Sequence, residues 1–128
     1  MGMKAIADTS VFIARESGRM LGDLPEEIAV SVITAAELEL GVLRAKDADV
    51  RATRVATLSQ VRATFPLLPV DQGTASCFAR IADGELRAGR KLRRHDAWIA
   101  ATAMRHGVPV VTQDADFTSF SPVLVLRV

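Results

Sequence analysis

Cysteines, aromatic residues and long apolar runs are all scarce in this sequence. Cys77 is the single cysteine, which excludes an internal disulfide and suits the reducing cytoplasm. Tyrosine is absent and aromatic residues make up 5% of the chain, which argues against recognition of bases on aromatic platforms. No segment reaches the ~18 apolar residues of a membrane-spanning helix, and no signal peptide is recognisable. We therefore expect a cytoplasmic protein with no membrane contact.

Histidine is also scarce, and neither sign of charge dominates. His95 and His106, together with one cysteine, are too few for the usual zinc sites. The net charge is +1, which excludes binding of nucleic acid through bulk positive charge. Cys77 lies in the apolar helical pattern TASCFARIA, and we interpret it as a buried, inert thiol rather than a nucleophile.

The chain does contain a regular alternation of apolar strands and helical patterns. Its 128 residues, 49% of them hydrophobic, suffice for a core, and we predict one domain over residues 1–128. Met3 is a candidate natural start, with Met1 and Gly2 then added in cloning. The strands are predicted at residues 4–7, 28–32, 67–70, 109–112 and 123–128. The helices are predicted at residues 9–15, 35–45 with Thr34 as N-cap, 47–65, 71–87 and 96–105. This order predicts an α/β fold, a three-layer sandwich with a mostly parallel central sheet.

Acidic residues stand at the boundaries of these elements. Asp8 follows the first strand, Glu37 lies early in the second helix, Asp96 opens the last helix, and Asp114 and Asp116 follow the strand VPVVT. The carboxyl ends of parallel strands meet at one edge of a sheet, so we predict a single carboxylate cluster there. Such a cluster repels itself unless it binds cations or stays partly protonated. Divalent metals on carboxylates are typical of enzymes that hydrolyse phosphate esters, nucleic acids included.

Each acidic position also has a purely structural interpretation. Asp8 and Asp96 are suitable helix N-caps, and the aspartates of QDADF are common in turns. A solvated helix face explains Glu37 and the neighbouring Glu39 equally well. Gly41 lies one turn after Glu37, and a glycine inside a helix indicates close approach by another group, which favours Glu37.

Polar residues near these acids are candidate orienting and substrate-binding groups. Ser10 and Thr112 are predicted to orient Asp8 and Asp114 through hydrogen bonds. His95 is a candidate substrate contact. A basic segment precedes Asp96, and both a solvated loop and a set of phosphate contacts beside the acidic site explain it. The residues predicted to contact RNA in this segment are Arg90, Lys91, Arg93 and Arg94.

Three motifs together resemble the PIN-domain ribonucleases, specifically the VapC-type toxins of prokaryotic toxin–antitoxin pairs. The matching segments are IADTSVFIA, SVITAAELELGV and HDAWIAATAMRHGVPVVTQDADF, in the order of that family, between Ile6 and Phe117. The order of the three motifs carries the resemblance. The middle of the chain, residues 45–94, matches only in length and helical character.

The resemblance implies a metal-dependent endoribonuclease that uses Mg²⁺ or Mn²⁺ and cuts structured RNA such as tRNA. It implies a homodimer silenced by a cognate VapB-type antitoxin, whose C-terminal segment lies along the toxin's groove. The apolar residues beside Asp8, which are Val11, Phe12 and Ile13, are expected to supply a hydrophobic anchor for that segment. The implied catalytic and metal-binding residues are Asp8, Glu37, Asp96 and Asp114, with Asp116 as an accessory metal ligand.

Two other functions fit part of the pattern. A phosphotransfer domain with Asp8 as phosphoacceptor would need a second aspartate at position 10 or a lysine late in the chain. Ser10 occupies that position, and no lysine follows Lys91. A non-catalytic PIN-like module that binds RNA or a partner is the main alternative, and loss of metal-dependent RNA cleavage in Asp8→Asn would distinguish the nuclease from it.

Overall fold

The computed structural model describes residues 4–117 and 120–128. Met1 to Met3, and with them the alternative start, lie outside the described residues. No helix in the described ranges is long and apolar enough to cross a membrane. The strands are β1 (Lys4–Ala7), β2 (Glu27–Ser31), β3 (Leu67–Leu68), β4 (Val110–Thr112) and β5 (Val125–Arg127). The helices are α1 (Thr9–Glu16), α2 (Val32–Leu43), α3 (Ala48–Thr64), α4 (Gln72–Arg87) and α5 (Arg94–His106).

The five strands form one parallel sheet in the order β3-β2-β1-β4-β5. The central strand β1 pairs with β2 on one side, where Ile6 lies opposite Ala29, and with β4 on the other, where Ile6 lies opposite Val110. The prediction of a mostly parallel sheet is confirmed. The chain winds outward in opposite directions from β1 and β4, and such a switch point opens a crevice at the carboxyl ends of the strands.

Helices cover both faces of the sheet. Ile6 and Val110 face a core formed with α4 and α5, whereas Ala7 and Val111 face a second core formed with α1, α2 and α3. The three-layer sandwich is therefore confirmed. Burial on both faces also explains why the strands are continuous apolar runs rather than alternating patterns.

The beginning of α2 differs from the sequence-based prediction. Ser31, not Thr34, is the N-cap, because its hydroxyl accepts a hydrogen bond from the backbone N–H of Ile33 at 3.0 Å. Thr34 lies inside the helix and is fully buried. Strand β2 passes into α2 without a loop, so the hydroxyl residue at the end of the strand takes the capping position.

The beginning of α5 also differs, since the helix starts before Asp96. Arg93 is the N-cap residue without a capping side chain, and Asp96 lies in the first turn. The N-cap interpretation of Asp96 is therefore wrong. The other end is as predicted, because Gly107 has a left-handed φ of 66° and ends the helix.

The remaining boundaries agree with the predictions within about two residues. Asp47 and Asp71 cap α3 and α4 through their carboxylates, which accept from the backbone N–H groups of Val50 and Thr74. Cys77 is partly buried on α4 against the first core.

Candidate active site

Asp8 is the most buried acid in the crevice, with 4% of its surface exposed. It directly follows β1 and is the N-cap of α1, where it accepts from the backbone N–H of Ser10 at 3.1 Å. Its carboxylate also accepts from the hydroxyls of Ser10 at 2.6 Å and Thr112 at 2.7 Å. The capping role and a place in the crevice therefore coexist at this residue.

The ionisation of Asp8 reflects two opposed effects. Burial raises the pKa of its carboxyl group above the ordinary value, while the hydrogen bonds from Ser10 and Thr112 lower that pKa. The first effect is the larger. A cation near this carboxylate would favour the ionised form that burial disfavours.

A hydrogen-bond network connects Asp8 to the loop after β4. The hydroxyls of Ser10 and Thr112 are 3.1 Å apart. Ser10 accepts from the backbone N–H of Gln113 at 2.8 Å, and Thr112 accepts from that of Asp114 at 3.0 Å. Ser10 and Thr112 thus occupy the positions expected of residues that orient Asp8 and the Asp114 loop.

Glu37 reaches the crevice from α2. The Thr9 hydroxyl donates to its carboxylate at 2.6 Å, and Nδ1 of His95 lies 3.4 Å from its other oxygen. Glu39 instead points away from the crevice and pairs with Arg62 at 3.3 Å on the exposed surface. The structure therefore distinguishes Glu37, which lies in the crevice, from Glu39, which does not, whereas the sequence favoured Glu37 only weakly.

The reason given for Glu37, a close approach at Gly41, is wrong. A Cβ atom at Gly41 would lie 3.8 Å from Cδ of Arg54, an ordinary contact. The Arg54 guanidinium donates to the Gly41 carbonyl at 2.7 Å. Gly41 therefore faces helix α3 rather than a ligand.

Arg93 occupies the gap between the acids at the beginning of α5. Its guanidinium lies 2.5 Å from the Asp96 carboxylate and 3.7 Å from that of Asp114, and it donates to the Asp116 carbonyl. Burial raises the pKa of the Asp96 carboxyl group, the charge of Arg93 lowers it, and Asp8, Glu37 and Asp114 raise it again. Asp96 is thus within electrostatic reach of the other three predicted carboxylates.

Asp114 and Asp116 form a tight turn after β4. One oxygen of the Asp114 side chain accepts from the backbone N–H of Asp116 at 2.8 Å. Asp116 is exposed and contributes its backbone carbonyl to Arg93. Asp114 therefore presents its carboxylate to the crevice, and Asp116 lies at the rim.

Carboxylate oxygens are suitable ligands for a hard divalent cation. The four carboxylates do not, however, surround a single point. Among residues 4–117 and 120–128, no three metal-ligating side chains lie close enough together to hold an ion. Electrostatic coupling acts over longer distances than coordination, and Arg93 fills the gap between Asp96 and Asp114. Mg²⁺ takes one or two carboxylates directly and keeps several waters, so the residues fit an ion held largely through water.

The basic segment divides into two groups. Arg90 binds the buried carboxylate of Glu85 at 2.5 Å, and Arg93 turns into the acidic gap. Lys91 and Arg94 are exposed. Arg94 also lines a crevice of about 380 Å³ with Glu37, Arg93, His95 and Asp96.

The expected hydrophobic anchor beside Asp8 is mostly absent. Val11 and Phe12 are buried in the second core, because they lie on the face of α1 that packs on the sheet. Ile13 alone of the three is exposed, at 54%. The expectation is wrong for Val11 and Phe12.

Sequence reasoning missed the contacts of Thr9 and Arg93. Thr9 follows Asp8 directly, so its place at the strand–helix junction was a usable signal for a contact with the crevice. Arg93 precedes Asp96 by three residues, a spacing that brings side chains together on a helix. Nothing in the sequence indicated that its guanidinium also reaches Asp114.

The chain is similar to known proteins over nearly its whole length. Residues 5–121 match the family described as PIN domain. Ribonuclease VapC5 of Mycobacterium tuberculosis is 45% identical over 128 residues, which cover 96% of this chain and 94% of that protein. Toxin FitB of Neisseria gonorrhoeae is 33% identical over 106 residues, 76% of each chain. The crystal structure of VapBC-5, a member of the VapBC family of toxin–antitoxin systems from M. tuberculosis, superimposes with a TM-score of 0.88 at 42% identity over 98% of both chains.

Proposed function

The chain belongs to the PIN domain family, and on that premise we propose that it is a metal-dependent endoribonuclease acting as the toxin of a toxin–antitoxin pair. The proposed reaction is hydrolysis of phosphodiester bonds in structured RNA such as tRNA. The observation that carries the proposal is the buried, hydrogen-bonded Asp8, which together with Glu37 and Asp114 lies near enough to Asp96 to raise the pKa of that carboxyl group.

The chain's own residues supply a fixed negative site for this chemistry. Thr112 and Ser10 hold both oxygens of Asp8, and Thr9 holds one oxygen of Glu37, so these carboxylates are oriented before any ligand binds. Like charges this close repel one another, and a bound divalent cation would relieve that repulsion. No side-chain nucleophile is required, because water is the attacking group in such a hydrolysis.

Asp8, Glu37, Asp96 and Asp114 would hold the ion, with Asp116 as an accessory group at the rim. When bound, Mg²⁺ or Mn²⁺ supplies the Lewis acidity that activates water and stabilises charge on the phosphate and the leaving oxygen. Arg93 would compete with the ion for the carboxylates of Asp96 and Asp114, and once released from them its guanidinium would be available to the substrate phosphate.

The proposed partner is a cognate VapB-type antitoxin. The similar VapBC-5 structure belongs to a toxin–antitoxin family, and a FitAcB structure from N. gonorrhoeae superimposes with a TM-score of 0.77 at 28% identity. We extend that partnership to this chain, together with a homodimeric state and a cytoplasmic location where RNA is accessible.

Cleavage of RNA by matched variants tests the nuclease function. Purified protein should cut a structured RNA in the presence of Mg²⁺ or Mn²⁺ and stop when EDTA is added. Asp8→Asn and Asp96→Asn should lose cleavage by about 100-fold or more, whereas Asp83→Asn, an exposed acid paired with Arg87 on α4, should keep it. Binding of RNA without cleavage by the wild-type protein would favour the non-catalytic binding module instead.

A further inference from the structure

A second concave surface lies beside the acidic crevice, and of its main lining residues only Ser10 and Asp114 take part in the chemistry described above. It is a cavity of about 360 Å³ between the C-terminal half of α1 and the segments that follow β4 and end β5. We call it the lateral pocket, and its main lining residues are Ser10, Ile13, Arg19, Gln113, Asp114 and Arg127. Its volume falls in the usual range for small-ligand sites.

The end of α1 fixes the position of Arg19. Gly18 adopts a left-handed φ of 75°, and its N–H donates to the Arg15 carbonyl at 3.1 Å. The N–H of Arg19 then donates back to the Ala14 carbonyl at 2.9 Å, which completes a Schellman turn. The Arg19 guanidinium reaches the Gln113 side-chain oxygen at 3.4 Å. The turn therefore directs Arg19 toward the loop after β4.

The register of the sheet fixes the position of Arg127. It pairs with Thr112 across β4 and β5, and the N–H of Val128 donates to the Thr112 carbonyl at 2.9 Å. Thr112 is the residue whose hydroxyl binds Asp8. Arg127 is thus held one strand away from the acidic site by backbone hydrogen bonds.

Arg19 and Arg127 bring two positive charges to the lateral pocket, against one carboxylate, that of Asp114, among its lining residues. Neither Arg19 nor Arg127 forms an ion pair with any carboxylate in the described part of the chain, unlike Arg90 and Arg93. Ile13 adds an exposed apolar surface to the same pocket. Two cations beside an apolar patch suit a phosphate attached to a ribose and base.

The pocket adjoins the catalytic crevice at Asp8 and Asp114. Ser10 lines the pocket and hydrogen-bonds Asp8, and Arg93 of the crevice lies 3.7 Å from Asp114, which lines the pocket. The lateral pocket and the crevice lined by Arg94 and His95 share no lining residue. An RNA strand that crosses Asp8 would therefore contact the lateral pocket on one side of the scissile phosphate and the crevice lined by Arg94 and His95 on the other side.

We propose that the lateral pocket binds the nucleotide adjacent to the scissile phosphate, with Arg19 and Arg127 on its phosphate and Ile13 against its ribose or base. This inference rests on the proposed nuclease function. It assigns one flank of the substrate to a surface whose two arginines lie outside the acidic crevice.

Binding to an RNA oligonucleotide that the wild-type protein cuts tests this proposal. In an Asp8→Asn background, which prevents cleavage, Arg19→Ala with Arg127→Ala should weaken binding by about 10-fold or more. The salt dependence of log K should flatten by about 0.7 for one lost phosphate contact. The matched control is Arg51→Ala with Arg80→Ala, which removes the same charge from exposed, unpaired arginines on α3 and α4 of the described chain. Equal losses in the two double variants would overturn the proposal.

RNA oligonucleotides with a neutral methylphosphonate at one or the other phosphate next to the mapped cleavage site show which phosphate Arg19 and Arg127 contact. In the protein that keeps Arg19 and Arg127, one of the two methylphosphonates should weaken RNA binding. In the Arg19/Arg127 double variant, the same methylphosphonate should change the RNA affinity little. Additive losses at both phosphates would overturn the subsite while leaving cleavage by the wild-type protein intact. Absence of cleavage by the wild type would instead reject the proposed function itself.

Binding of a co-expressed antitoxin tests the remaining explanation, which is that the lateral pocket binds the protein partner rather than RNA. If the Arg19/Arg127 double variant binds RNA like the control variant but loses affinity for the antitoxin, the pocket serves the protein partner and the RNA subsite is rejected. Unchanged antitoxin binding with weakened RNA binding supports the subsite.

Discussion

At the scale of single residues, Asp8 shows how burial and hydrogen bonding compete over one carboxylate. Its pKa is raised above the ordinary value, chiefly by burial, so the folded protein holds a proton there more tightly than the unfolded chain. The stabilising contribution is therefore complete below the unfolded pKa of about 3.8 and is lost as the pH rises through the folded pKa. Above that pH, the buried charge destabilises the metal-free protein.

Asp8→Asn should consequently gain stability relative to the wild type as the pH rises from 3.8 to 7. Denaturant unfolding without divalent metal, at both ends of that range, measures the difference. Asp83→Asn should show no such gain, because neutralising Asp83 removes its ion pair with Arg87. A stability difference that stays constant with pH for Asp8→Asn would contradict the assignment of burial as the dominant effect.

Thr112 joins two acids through one hydroxyl, which donates to Asp8 at 2.7 Å and accepts from the backbone N–H of Asp114 at 3.0 Å. Thr112→Val keeps the shape and removes both bonds, so RNA cleavage should fall by about 10- to 100-fold. Thr112→Ser keeps the hydroxyl and should retain most activity. Equal activity of the valine and serine variants in single-turnover assays would show that the hydroxyl does not orient the site.

Arg93 neutralises the acids that are proposed to hold the metal. Arg93→Ala should therefore strengthen Mn²⁺ binding by about 2- to 5-fold, as expected for loss of a partly exposed ion pair that competes with the ion. Titration calorimetry of the metal-free protein measures this change independently of cleavage. Arg94→Ala removes the same charge from an exposed neighbour and is the control. Weaker Mn²⁺ binding in Arg93→Ala would show that Arg93 organises the site rather than competing for it.

At the scale of helices and strands, short-range signals predicted most boundaries and failed where two signals compete. The Asp47 and Asp71 caps and the Gly107 end depend on neighbouring residues, so the sequence contains the necessary information. Ser31 and Thr34 are both good N-caps, and the choice depends on where β2 ends in the sheet. The contact of Arg93 with Asp114 depends on the packing of α5 against β4, which no local pattern reports.

Gly84 and Gly107 are a matched pair for testing helix energetics. Gly107 has a φ of 66°, so Gly107→Ala should destabilise the protein by about 1–2 kcal/mol. Gly84 lies within α4, and a Cβ there would meet nothing within 4 Å, so Gly84→Ala should stabilise by about 0.5–1 kcal/mol. Chemical denaturation of both variants checks the opposite signs. A stabilised Gly107→Ala would contradict the left-handed helix end.

At the scale of the whole molecule, the order of the strands places the acids in one crevice. Asp8 follows β1 and Asp114 follows β4, and these adjacent strands flank the switch point of the sheet. This meeting was predictable from the alternation of strands and helices. The lateral pocket was not, because it requires the pairing of β5 with β4 near the end of the chain and the turn after α1, at Gly18, near its beginning.

The toxin role predicts how the intact protein behaves in a cell. Expression of the wild-type chain alone should arrest growth, because cleavage of RNA stops translation, and Asp8→Asn should remove the arrest. Co-expression of a VapB-type antitoxin from a neighbouring gene should restore growth, and Asp8→Asn should still co-purify with it, since a single ion pair contributes little to the affinity of a protein interface that has buried anchor residues. Growth curves and affinity purification provide the two measurements. A wild-type chain that is harmless and co-purifies with no partner would contradict the toxin role, while the cleavage assay on purified protein would still decide whether it is a nuclease.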